Sequence, residues 1–187
     1  RLHYVTAGSG ARALVLLHGW PQTWWEWRRI MPALAEHFTV IAPDMRGLGD
    51  SSCPPGGYDK ATVADDIWRL MSDVLGYERF YLAGHDWGGP TAYALAHAHM
   101  DAVIKLAIID VVVPFGSADD LTWGGKRWHH VFHWVQDLPE ALVTGRERLY
   151  LSWFYNNLAY NPAAIKPEDI DEYTRAYAQP GVLRAGF

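Results

Sequence analysis

The residues Gly84-His85-Asp86-Trp87-Gly88 carry the pattern of a nucleophile elbow, a sharp strand-to-helix turn written G-x-S-x-G, with aspartate in the place of serine. The flanks suit it. Arg79-Phe80-Tyr81-Leu82-Ala83 reads as a buried strand and 90–97 as a helix with Pro90 in its first turn. A serine needs a base to become nucleophilic, whereas a carboxylate is already ionised at pH 7 and attacks unaided, leaving an ester for water to cleave. Its electrophile is an sp3 carbon with an oxygen or halide leaving group. Attack on a peptide or ester carbonyl would give an unstable anhydride, which argues against protease and lipase chemistry.

Elements that could position this turn alternate along the chain. Residues 3–7 and 13–17 read as strands, 24–37 as a helix with Trp27, Ile30, Met31 and Leu34 on one face, and 39–42 as a strand. A helix over 62–75 carries Val63, Ile67, Leu70, Met71 and Val74, and 102–109 is the strand that Asp110 closes. Strand-helix alternation predicts a doubly wound, mostly parallel α/β sheet. Past Val113 the apolar and aromatic residues recur at helical spacing around 128–135, 138–159 and 168–178, which divides the chain into a core over 1–112 and a helical insertion over 113–187.

With 187 residues, half of them hydrophobic, the chain can bury a sizeable core. A net charge of -5 without a Lys/Arg run gives no footprint for nucleic acid or an acidic membrane surface. The apolar runs are too short to cross a bilayer, and Arg1-Leu2-His3-Tyr4-Val5 lacks the regions of a signal peptide. Cys53 is the single cysteine, which fits a reducing, cytoplasmic setting. Ten tryptophans are expected to pack in cores or line an apolar pocket.

Three more segments join the elbow: His18-Gly19-Trp20-Pro21 after the second strand, Asp44-Met45-Arg46-Gly47-Leu48-Gly49-Asp50-Ser51 after the third, and Asp110. In this order they resemble the α/β-hydrolase fold, specifically its epoxide hydrolase and haloalkane or haloacid dehalogenase branch, and epoxide hydrolases most closely. The resemblance implies that Asp86 is the nucleophile, that the backbone N–H groups of Trp20 and Trp87 form an oxyanion hole, and that the helical insertion is a cap. It implies that Asp110 is the acid orienting a catalytic histidine. That histidine follows the last strand in the family, and none of the nine here fits it; the chain resembles the first two-thirds of the fold, with its C-terminal strands missing. His18 is expected to make structural hydrogen bonds, His85 to bond locally, and His97 and His99 to be solvated at a helix end.

Epoxide opening needs a donor to the ring oxygen, which the family takes from its cap. In Trp128-His129-His130-Val131-Phe132-His133 the resemblance points to His129 as donor, with His130 second; the other cap donor falls beyond Phe187. Trp20, Trp87 and His130 are expected to line the substrate pocket. His129 and His133 have the spacing of a metal pair but no third ligand accompanies them, so neither metal nor cofactor is expected. The implied partner is a small apolar epoxide or halogenated substrate, and family analogy alone implies a homodimer.

The alternatives are a dehalogenase using the same aspartate and a catalytically incomplete fragment or ligand-binding remnant. For the dehalogenase, the Trp87 indole could hold a departing halide, although Trp20 stands where a small polar or acidic residue is usual. Haloacid enzymes place arginines beside the nucleophile, where this chain has Trp87 and Pro90.

Overall fold

The structure, a computed structural model, describes residues 1–111, 113 and 127–187. The chain divides into two compact units, Arg1–Val113 and Pro114–Phe187.

In the first unit five strands, β1 (Tyr4–Ala7), β2 (Ala13–Leu17), β3 (Thr39–Pro43), β4 (Phe80–His85) and β5 (Val103–Ile109), form one sheet in the order β1-β3-β2-β4-β5. Only β1 runs antiparallel to its neighbour, β3; the β2-β3, β2-β4 and β4-β5 pairs are parallel. Central β2 is covered on both faces, with Val15 and Leu17 buried on one and Leu16 on the other, as its unbroken apolar run requires. Outer strand β5 leaves Ile104 and Ile109 exposed.

The helix expected over 24–37 is two shorter elements. A 3-10 turn at Trp24–Trp27 gives way to α1 (Met31–Ala35), which has Pro32 in its first turn. Proline lacks an N–H and its ring clashes with the carbonyl four residues back, so a continuous helix cannot pass through it. Trp27 and Met31 still pack on the sheet while Ile30 lies exposed. Helix α2 (Lys60–Arg69) opens with Asp59 accepting the Thr62 N–H at 2.9 Å. It continues as a π-helical turn, Leu70–Val74. The wider turn shifts the helical phase, so Val63, Ile67, Leu70 and Met71 are buried but Val74 is not.

Helix α3 (Gly88–Ala98) follows β4 directly. His99, at its C-terminal end, is stacked on Trp68 with ring centroids 3.8 Å apart, a packing role where a solvated one was expected.

In the second unit the described residues form α4 (Trp128–His133), α5 (Leu138–Val143), α6 (Glu147–Leu158), α7 (Pro167–Tyr177) and α8 (Val182–Gly186). The helix expected over 138–159 breaks between α5 and α6, where Gly145 has φ of +78°. That left-handed conformation ends a helix and comes cheaply only to glycine. Leu151 and Phe154 of α6 and Tyr173 and Tyr177 of α7 supply much of the buried aromatic and apolar surface. No described helix is long and apolar enough to cross a membrane.

Candidate active site

The β4-α3 junction bends at Asp86, whose φ is +47°. A non-glycine residue held there costs about 1–3 kcal/mol, and such outliers cluster where function over-determines the backbone. The surroundings enforce the turn. The Asp86 N–H donates to the Ile109 carbonyl (3.1 Å), and the Asp86 carbonyl accepts the Gly89 N–H (2.8 Å). Gly84 and Gly88 are glycines because of close approach: a Cβ on Gly84 would lie 2.2 Å from the Gly88 carbonyl oxygen, and one on Gly88 2.3 Å from that of Leu17.

The loop after β2 meets this turn. Trp20 donates its backbone N–H to Asp86 Oδ1 at 2.9 Å. Among the described residues no donor reaches Oδ2, so one carboxylate oxygen is held and the other is left without a donor. A Cβ on Gly19 would lie 2.6 Å from Asp86 Cβ, so this approach also depends on glycine. His18, fully buried, staples the loop from below: Nδ1 donates to the Gly19 carbonyl (2.9 Å) and Nε2 accepts the Met45 N–H (3.0 Å). That pairing fixes the neutral tautomer and a structural role.

Asp44 secures the third motif segment. Its Oδ1 accepts the Trp24 N–H (2.8 Å) and its Oδ2 the Asp50 N–H (3.1 Å) and His3 Nδ1 (2.7 Å). His3, Asp44 and Asp50 are the described group whose donor atoms lie close enough to share a cation, within 4.8 Å. The Asp44 oxygens are already occupied by these donors, which marks a loop clamp rather than a metal centre.

Two polar side chains near Asp86, those of Glu26 and Lys60, were not singled out from the sequence. Glu26, from the 3-10 turn, lies 3.3 Å from His85 Nδ1, and Asp110 Oδ2 lies 4.0 Å from His85 Nε2. Burial acts to lower the His85 pKa, but the Glu26 hydrogen bond and the Glu26, Asp86 and Asp110 charges outweigh it, and the net shift is upward. Asp110, itself at φ +55°, is brought to the elbow by the β4-β5 pairing, with its side chain 87% exposed. Lys60, at the start of α2, places its ammonium 4.2 Å from the Trp87 ring centroid. The signal for Glu26 was a charge inside the aromatic run Trp24-Trp25-Glu26-Trp27; for Lys60 there was none.

Thus Trp20, Asp86, Trp87 and Asp110 come together in the first unit. His129 and His130 belong to the second. There His129 is buried, with its ring 5.0 Å from that of Phe154 and 4.4 Å from that of His130. Burial, with the charges of His130 and Arg127, pushes its pKa down to about 4, so its imidazole is neutral at pH 7. His133 is pushed down to about 3 by burial and the neighbouring histidines, and its Nε2 lies 2.6 Å from the Tyr150 hydroxyl. Burial raises the Tyr150 pKa, so the phenol keeps its proton and donates to that nitrogen.

A mostly parallel sheet whose strand β4 ends in a strained turn into a helix, with a backbone N–H aimed at the acidic side chain, matches known proteins. The model of the alpha/beta hydrolase fold matches residues 12–159. The chain belongs to the α/β-hydrolase fold family. This α/β hydrolase is 47% identical to a soluble epoxide hydrolase of Corynebacterium sp. (strain C12), an alignment that covers 100% of the chain and 66% of that protein. It is 34% identical to a fluoroacetate dehalogenase of Burkholderia sp, over 97% of the chain and 62% of the relative. Among solved structures, the ligand-free epoxide hydrolase CorEH superposes with a TM-score of 0.87 at 44% identity, over 99% of this chain and 67% of that one. Cfl2 from Burkholderia cenocepacia gives 0.88 at 41%, over 99% and 65%. The chain therefore spans about two-thirds of the length of these relatives.

Proposed function

We propose that this chain carries the ester-forming half of an epoxide hydrolase. The observation that supports the reading best is the Asp86 carboxylate, with Oδ1 accepting the Trp20 N–H at 2.9 Å and Oδ2 without a donor among the described residues. Asp86 Oδ2 attacks a ring carbon, the carbon–oxygen bond of the epoxide breaks, and the ring oxygen accepts a hydrogen bond from His129 in the cap and takes its proton from water. Neutral at pH 7, His129 can donate an N–H to that oxygen. The product is a hydroxyalkyl ester whose carbonyl oxygen is Oδ1, already beside the Trp20 N–H. When water attacks the ester carbon, the N–H groups of Trp20 and Trp87 hold the developing oxyanion. Asp110 orients the base that activates this water, and the diol leaves.

The experiment is intact-mass analysis of the protein after incubation with styrene oxide, with diol measured in parallel. An adduct of one substrate mass that maps to Asp86 and disappears in Asp86→Asn is the expected result. Diol release over many turnovers gives the complete cycle, whereas an adduct that persists without diol limits the chain to the first half-reaction. Absence of both adduct and diol sinks the epoxide assignment.

A dehalogenase is the second reading, favoured by the 34% identity to a fluoroacetate dehalogenase. It uses the same Asp86 attack with halide as the leaving group. Halide release from a bromoalkane or haloacid, without turnover of styrene oxide, would select it.

A further inference from the structure

Lys60 is the first residue of α2, yet its ammonium sits over the ring of Trp87, the residue that follows Asp86. Helix α2 thus delivers a cation to the nucleophile's neighbour from outside the elbow. Among the described residues the three N–H donors of this ammonium meet no hydrogen-bond acceptor. Their surroundings are a ring face and the fields of two carboxylates, Asp86 and Asp59. Asp59 is engaged elsewhere, since its oxygens accept the Thr62 N–H (2.9 Å) and the Thr62 hydroxyl (2.7 Å).

A largely buried ammonium normally directs its donors to carboxylate or carbonyl oxygens, because leaving them unmatched is costly. The ring quadrupole attracts the charge without satisfying three donors. Burial pushes the Lys60 pKa down to about 8, against the pull of Asp86 and then Asp59, so the side chain is still protonated at pH 7. A cation kept charged at this cost beside a nucleophilic carboxylate lacks an oxygen acceptor.

We propose that Lys60 recognises an anionic substituent on the substrate, a carboxylate next to the electrophilic carbon, as in a glycidate. The proposal rests on the reading of Asp86 as the nucleophile. A substrate carboxylate approaching Asp86 alone would be repelled, and the Lys60 charge offsets that repulsion while its N–H groups hold the anion in one orientation. Lys60 keeps its proton throughout. Asp86 Oδ2 forms the new carbon–oxygen bond, the ring bond breaks, and the ring oxygen, hydrogen-bonded by the cap donor, takes its proton from water.

Butyrate, an unreactive carboxylate, tests the recognition without turnover. Calorimetric titration at pH 7 into the full-length protein is expected to give binding that weakens about tenfold or more in Lys60→Met and is largely kept in Lys60→Arg. No binding to the wild type, or equal binding to all three proteins, overturns the proposal. Diol release from glycidate and from styrene oxide reads the catalytic assignment separately. In Lys60→Met the ratio of kcat/KM for glycidate over styrene oxide is expected to fall about tenfold or more, with KM carrying the change. An unchanged ratio with diol still formed overturns the role of Lys60. No diol from either epoxide removes the epoxide reading and leaves the anion site to be decided by butyrate alone.

Discussion

The Asp86 turn and the histidine cluster of α4 solve opposite electrostatic problems. Around Asp86, charge is retained: backbone N–H groups, a lysine and a histidine of raised pKa surround the carboxylates of Glu26, Asp86 and Asp110. Around α4, charge is suppressed. Phe154, Trp128 and Tyr150 enclose His129 and His133, whose pKa values fall to about 4 and about 3. A carboxylate nucleophile works only while ionised, whereas a neutral imidazole is a hydrogen-bond donor that costs little to bury. The contrast teaches that whether a side chain keeps its charge is set here by the polarity of its surroundings: one histidine is raised and two are lowered.

The largest effect should come from the turn's geometry. Gly88→Ala places a methyl group 2.3 Å from the Leu17 carbonyl oxygen, a backbone atom that cannot step aside. A loss of about 3 kcal/mol or more is expected by urea denaturation, since backbone overpacking has no cheap relief. A variant as stable as the wild type would mean that the strand-to-helix junction is not held as tightly as its contacts imply. On the neutral side of the comparison, His129→Phe keeps the aromatic packing and removes the donor proposed above. Ester formation with styrene oxide, followed by mass, should slow about 100-fold, while His130→Phe should cost less than tenfold. The reverse order would transfer the donor role to His130.

How legible each region was in the sequence follows from the same contrast. Gly84-His85-Asp86-Trp87-Gly88 and His18-Gly19-Trp20-Pro21 are local strings whose geometry depends on neighbours in the chain, so their motif spacing disclosed the sheet, the strand-to-helix turn and the loop that meets it together. Glu26 and Lys60 reach the same place from a 3-10 turn and from the start of α2, and only the folded sheet reveals that they meet. Helix ends were lost for local reasons: Pro32 splits the segment after β2, and Gly145 splits the long aromatic stretch into α5 and α6. The π-helical turn at Leu70–Val74 left no mark in the apolar periodicity, because Val74 keeps the expected spacing and loses only its burial.

Lys60 offers a sharper test of the charged side, because function and stability should respond in opposite directions. Its pKa falls from 10.5 to about 8, chiefly through burial, so holding a proton there opposes folding. The cost is complete below about pH 8 and shrinks as pH rises toward 10.5, where the unfolded chain also loses its proton. Lys60→Met should therefore raise stability by about 1–3 kcal/mol at pH 7, and the gain should vanish near pH 11. A destabilised Lys60→Met at pH 7 would make the lysine a packing element and weaken the contrast.

The smallest effect belongs to Glu26, and it separates the two carboxylates that flank His85. Burial alone would lower the His85 pKa, and the Glu26 hydrogen bond is the largest influence raising it. Glu26→Gln should lower the His85 pKa, read from its ring resonances in an NMR titration. The sign in stability follows. A histidine with a raised folded pKa stabilises the protein fully below its unfolded value near 6.5, and that contribution fades as pH rises through the folded pKa. The variant's deficit should be present at pH 5.5 and fade as pH rises through the folded pKa of His85. If His85 titrates unchanged in Glu26→Gln, Asp110, 4.0 Å away on the exposed side, is what holds its proton. The buried carboxylate would then serve the Gly19 N–H, which it accepts at 3.4 Å, and through it the loop that carries Trp20 to Asp86.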